Sequence, residues 1–286
     1  MPAGLDVRLI ASFVVAITFD VLMPVAVVLW ARRRLGVAWK VIGIGALAFG
    51  LSQMLIRVPA VQVIQYLLRD ELKASAVLLN VWIVILSITA GLFEETARLI
   101  AFKYPLKDRR TWKDALGFGI GHGGLESALM IGGLATIGLI NVVVLSQMDL
   151  SKLPLQPEQL EQVRAAKAQI AALRWWEPLL GAYERVCAMF IHLSMTVVVL
   201  QRFLRDQRRW YWLAVGFHFL ANLLTVLVAR ELGAVAAEGV ATVFALLGLW
   251  LILHFRPTHE EPATALTDGS ASLGSPSSTV QDHTAS

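Results

Sequence analysis

Glu94 and Glu95 stand side by side, with Arg98 one helical turn further on, inside an apolar run of bilayer length at residues 76–102. A carboxylate near the centre of a bilayer costs roughly 2.5 to 3.5 kcal/mol on insertion scales, so a pair needs cations, a water-filled cavity or a metal to offset its burial. Other membrane helices must therefore bring such partners to the same depth.

The chain's 286 residues are 57% hydrophobic and 16% charged, too apolar for one or two soluble domains. The net charge is +4, and the basic residues fall in short clusters between apolar runs. That is the pattern of cytoplasmic loops, so membrane lipid is the expected surrounding and nucleic acid is not an expected partner. Cys187 is the single cysteine, which allows no internal disulfide and no Cys-rich metal site. It reads as a small buried hydrophobe. Residues 1–8 lack a clearly basic start, and the first apolar run is too long for a cleaved signal peptide, so it is expected to remain as a membrane helix.

Runs of spanning length occur at 9–31, 41–68, 76–102, 114–146, 176–201, 210–229 and 235–255, predicting an all-α polytopic membrane protein of seven helices. Two of these runs are irregular. Arg57 and Pro59 predict that the second spans to about residue 57, kinks and continues at the interface. The fourth is long enough for a tilted helix followed by a re-entrant or interfacial piece, which leaves a count of eight open. Residues 1–255 form the expected membrane domain, and 256–286, poor in apolar residues, read as a disordered cytoplasmic tail.

The basic clusters at 32–40, 103–113 and 202–209 fall in loops on one side, which places the N-terminus outside and the C-terminus in the cytoplasm. The loop at 149–175 would lie outside. Its Leu160, Val163, Ala166, Ile170 and Leu173 spacing suits an amphipathic interfacial helix, with Arg164 and Lys167 off the stripe. Trp175, Trp176, Trp210, Tyr211 and Trp212 read as interfacial anchors. Asp20 and Arg57 are placed to pair across helices, and Gln53, Asn80 and Asn141 to hydrogen-bond between them.

Measured from the basic ends at about 1.5 Å per residue, Glu94, His122, His192 and His218 all lie roughly 12 to 15 Å deep. Four potential ligands from four helices thus share a plane. Residues four apart share a helix face, which aligns Glu94 with Arg98, His122 with Glu126 and His218 with Asn222. Arg185 and His192, seven apart, also share one. The glycine-rich run from Gly117 to Gly124 allows either close helix packing or a local opening beside a cavity.

Imidazoles and a carboxylate suit zinc, which needs three protein ligands and an open position for catalysis. A further carboxylate can take a proton from water and pass it to a leaving amine. Glu94 and Glu95 differ by about 100° around a helix, so one can face that water while the other pairs with Arg98 or Arg185. Structural hydrogen bonds and a structural ion network are the plain alternatives for these same residues.

The motifs resemble those of the glutamate-type intramembrane metalloproteases, which include CAAX prenyl endopeptidases, their bacteriocin-immunity relatives and PrsW proteins. Glu94-Glu95-Thr96-Ala97-Arg98 resembles the first motif and His218-Phe219-Leu220-Ala221-Asn222 the last. Phe118 to His122 fits the middle motif by letter, and His192 fits it by order. The run Gly121-His122-Gly123-Gly124-Leu125-Glu126, with Tyr183-Glu184-Arg185, looks most like the bacterial YhfC branch. The resemblance implies membrane helices around a cytoplasm-facing cavity, in the plasma membrane of a bacterium. It implies peptidase action on membrane-associated peptides or proteins. Glu94 or Glu95 would activate water, His192 and His218 would bind zinc with Glu126 or His122, and Asn222 or Arg98 would steady the oxyanion. A proton- or cation-coupled transporter and a catalytically silent scaffold or immunity protein are the competing expectations.

Overall fold

The computed structural model describes residues 6–150, 154 and 156–257. The expected tail lies outside the described residues from position 258 onward. Every regular element among the described residues is a helix, and seven helical stretches are long and apolar enough to cross a membrane.

The first span is α1 (Val7–Leu35), whose first turn is capped by Asp6, accepting from the Arg8 amide. It ends at Gly36, whose φ of 69° is the left-handed conformation that closes helices. The second span comprises α2 (Trp39–Phe49), a π-helical segment (Gly50–Arg57) and α3 (Val58–Leu67). It is helical without interruption to Leu67, and the π-helical segment ends at Arg57, where the kink is expected. Pro59 falls in the first turn of α3, directly after the π-helical segment.

A short α4 (Arg69–Ala74) leads to α5 (Ala76–Lys103), the third span, capped by Ser75. The fourth comprises α6 (Trp112–Leu125), a second π-helical segment (Glu126–Ile131) and α7 (Gly132–Gln147). It too is one continuous helix, which removes the re-entrant piece and the eighth span. Thr111 and Asp114 form a reciprocal capping box that starts it. After α8 (Pro157–Ala172) come α9 (Glu177–Leu204), α10 (Arg209–Leu232) and α11 (Ala234–His254), the last three spans. In α8 the predicted stripe from Leu160 to Ile170 is half-buried, but Leu173 is exposed. Lys167 is half-buried rather than outward, its ammonium donating to the Met148 carbonyl at 2.7 Å.

The spans pack around α6 and α9. The glycine run resolves as close packing: a Cβ at Gly121 would collide with the Ile42 carbonyl, and one at Gly119 would stand 2.9 Å from Leu193 Cα. Helix α6 therefore lies pressed between α2 and α9. At the basic ends of the helices an apolar cluster fills the interior, including Val41, Phe102, Leu106, Phe118, Leu200 and Ile252. The loops there are tied down by Arg110, which donates twice to the Phe102 carbonyl, and by Trp112 Nε1, which donates to the Ile252 carbonyl.

The expected Asp20–Arg57 pair does not form, because Arg57 turns instead to α5. Gln53 and Asn80 do bridge helices, to the Ala90 carbonyl and to Arg230, whereas Asn141 is exposed. Cys187 is buried beside Ala241 and Ala245.

Candidate active site

Four spans contribute to one buried polar centre, as the shared depth of their histidines predicts. On α5, Glu94 is 6% exposed, and Glu95 and Arg98 are fully buried. Helix α6 supplies His122, α9 supplies Arg185 and His192, and α10 supplies His218. All four are buried.

Glu94 is the hub. Its Oε2 accepts from His122 Nε2 at 3.0 Å and lies 3.5 Å from both His192 Nδ1 and Arg98 Nη2. Its Oε1 lies 3.9 Å from His218 Nε2. Three imidazoles from three helices thus surround one carboxylate. Donor atoms of Glu94, His122 and His192 all fall within 4.8 Å of one another, a spacing a single ion can bridge.

Glu95 points elsewhere. Its Oε1 accepts from Arg98 Nη1 at 2.7 Å and from His218 Nδ1 at 2.8 Å, so it fixes the ring of His218 with Nε2 turned toward Glu94. Arg98 also donates to Thr196 Oγ1 at 3.2 Å and to His192 Nδ1 at 2.8 Å. This guanidinium uses its rigid set of donors to hold α5 against α9.

Glu126 begins the second π-helical segment and sits on the far side of His192. Its Oε2 is 2.5 Å from His192 Nε2, and its Oε1 accepts from Arg185 Nη1 at 2.9 Å. Arg185 in turn donates to Glu184 at 2.7 Å. Both Glu95 and Glu126 therefore contact the outer nitrogens of histidines whose inner nitrogens face Glu94. This is the relation by which carboxylates orient metal-binding imidazoles.

A cavity of about 320 Å³ borders the centre. Glu94, Glu126, His192, His218 and Asn222 line it, whereas Glu95, Arg98 and His122 lie behind its wall. The rest of the lining includes Gln53, Arg57, Leu86, Arg185 and Thr225. Counted along the helices at about 1.5 Å per residue, Glu94 and His218 lie about 13 Å from the basic ends, and Leu86, Arg57 and Glu184 about 25 to 30 Å. The cavity thus extends away from the basic loops, and the apolar cluster fills the opposite side. The bulky side chains of that cluster occupy the end near the basic loops.

All eight residues singled out from the sequence lie at or beside this centre, and His122 and His192 both enter it, although one motif suggested only one of them. Thr196, Gln53 and Arg57 were not anticipated here. An arginine inside an apolar span is itself a signal of a polar interior, but its spacing does not reveal which helix it meets.

No solved structure matches the chain. The "Uncharacterized membrane protein YhfC" of Bacillus subtilis (strain 168) is 30% identical over 237 residues, covering 81% of this chain and 90% of the relative. The model of the family described as "YhfC intramembrane metalloprotease" matches residues 19–245, a stretch that contains every residue of the polar centre. The chain is an integral membrane protein and belongs to the YhfC intramembrane metalloprotease family.

Proposed function

We propose that the chain is a zinc-dependent peptidase that hydrolyses peptide bonds of membrane-associated substrates. The observation that carries this reading is Glu94, at a cavity wall, with imidazole nitrogens of His122, His192 and His218 at 3.0, 3.5 and 3.9 Å. The family's description implies a metal, and the donors fit one. Imidazole and carboxylate groups suit zinc, and the centre holds one more carboxylate than guanidinium, counting Glu94, Glu95 and Glu126 against Arg98 and Arg185. His192 Nδ1 now receives a bond from Arg98, so its use as a ligand exchanges that bond, while Arg98 keeps Glu95 and Thr196.

His122, His192 and His218 would hold the ion. Bound there, zinc would act as a Lewis acid on the substrate carbonyl and on water. Glu94 takes the proton from water and later delivers it to the leaving amine. Asn222, on the cavity wall one turn beyond His218, donates its amide to the developing oxyanion. Glu95 and Glu126 hold His218 and His192 in orientation, and Arg98 neutralises Glu95. The test is cleavage of membrane-spanning fluorogenic peptides by the purified protein in lipid vesicles. We expect cleavage that a zinc chelator stops and added zinc restores; saturable uptake of a solute with no cleavage would support transport instead.

The basic loops are cytoplasmic in this reading, in a bacterial plasma membrane, so the cavity faces the outer half of the bilayer. A cysteine at the cavity wall, Thr225→Cys in a Cys187→Ala background, should react with a membrane-impermeant maleimide added to intact cells. Reaction only after the cells are opened would reverse this orientation.

A further inference from the structure

We infer that Arg57, supported by Gln53, forms a subsite for a carboxylate of the peptide; the identity of that ligand as substrate rests on the peptidase reading of the same cavity. Arg57 lies in the second span, where a guanidinium is costly to bury without a partner. Arg98 and Arg185 each contact carboxylates. Arg57, in contrast, makes no ion pair among the described residues. Its bonds run to three neutral acceptors: Nε to Thr89 Oγ1 at 3.3 Å, Nη1 to Gln53 Oε1 at 3.2 Å and Nη2 to the Leu86 carbonyl at 2.5 Å.

A guanidinium carries five N–H donors. These three bonds use one on Nε and one on each terminal nitrogen, leaving one further donor on each terminal nitrogen. A donor from each terminal nitrogen is the set with which a guanidinium binds the two oxygens of a carboxylate. The side chain lines the cavity that contains Glu94, and it is carried by the π-helical segment Gly50–Arg57. Such segments are rare and frequent at functional sites. Gln53 is 3% exposed, bonds the Ala90 carbonyl and fixes the guanidinium from one side. Tying the second span to α5 is a task that neutral hydrogen bonds already perform, as that of Gln53 does, so it does not account for a guanidinium with no carboxylate in contact, the nearest influence being that of Glu94 across the cavity.

The subsite also sets a spacing. Leu86, where Arg57 is anchored, is eight residues from Glu94 on α5, or about 12 Å. An extended peptide covers about 3.3 Å per residue, so the bound carboxylate lies three to four residues from the bond presented to Glu94.

The test is binding, not turnover, so that it stands whether or not peptide cleavage is found. The probes are N-lauroyl-tetraalanine as the free acid, its C-terminal amide, and an amide in which one alanine is glutamate. Affinities are measured by calorimetry on detergent-purified wild type, Arg57→Gln and Arg57→Lys. At least one carboxylate probe should bind about tenfold or more tightly than the uncharged amide, and which one does so tells a chain terminus from a side chain. That preference should vanish in Arg57→Gln and survive in part in Arg57→Lys. Equal affinities for all three probes in wild type would overturn the assignment without recourse to any variant, as would a preference that persists in Arg57→Gln. Arg57-dependent binding of lauryl phosphate, with no preference among the peptides, would overturn it in favour of a lipid headgroup.

Discussion

Replacing Arg98 with alanine is expected to cost about 3 to 5 kcal/mol of stability, enough to deplete folded protein in detergent. The residue is fully buried and contacts Glu94, Glu95, His192 and Thr196 at once. Its removal takes the guanidinium away from a fully buried carboxylate, leaving Glu95 only His218, and Glu95 Oε2 already lacks a hydrogen-bond partner. Thermal unfolding in detergent measures the effect. The double variant Glu95→Gln with Arg98→Met should recover part of the loss, because the stranded charge is removed along with its partner. An Arg98→Ala protein as stable as wild type would show that the network does not hold α5 to α9.

The second large effect separates holding the ion from moving the proton. Glu94→Gln keeps the shape and most of the hydrogen bonds of the hub but cannot accept a proton. Loss of a general base typically lowers rates by a factor of about 100 to 10,000. The variant should therefore fold, retain the metal and lose cleavage by about that factor. His192→Ala should instead lose the metal, since it removes a ligand together with the anchoring point of Glu126.

The span boundaries were legible because bilayer thickness imposes a length on apolar runs, and the runs at 76–102 and 235–255 match α5 and α11 closely. The convergence of Glu94 with His122, His192 and His218 was legible as well, because depth along a helix follows from residue number alone. Rotation around the helix was not. Whether Glu94 or Glu95 faces the cavity depends on where Arg98 and His218 stand, and those positions are set by packing between α5, α9 and α10. The two π-helical segments also escaped the reading, since an apolar sequence looks the same whether its bonds run to the fourth or the fifth residue. The apolar filling of the basic end depends on Val41, Phe102, Phe118 and Ile252 meeting from separate helices, a contact with no local signature.

The measurement that tests the central claim most directly is the metal content of detergent-purified protein by elemental mass spectrometry, comparing wild type, Glu94→Gln, His122→Ala and His192→Ala. The account predicts about one zinc per chain in wild type and Glu94→Gln, and almost none in the two histidine variants. A folded wild type that takes up no metal when zinc is supplied, or histidine variants that retain a full complement, would contradict it.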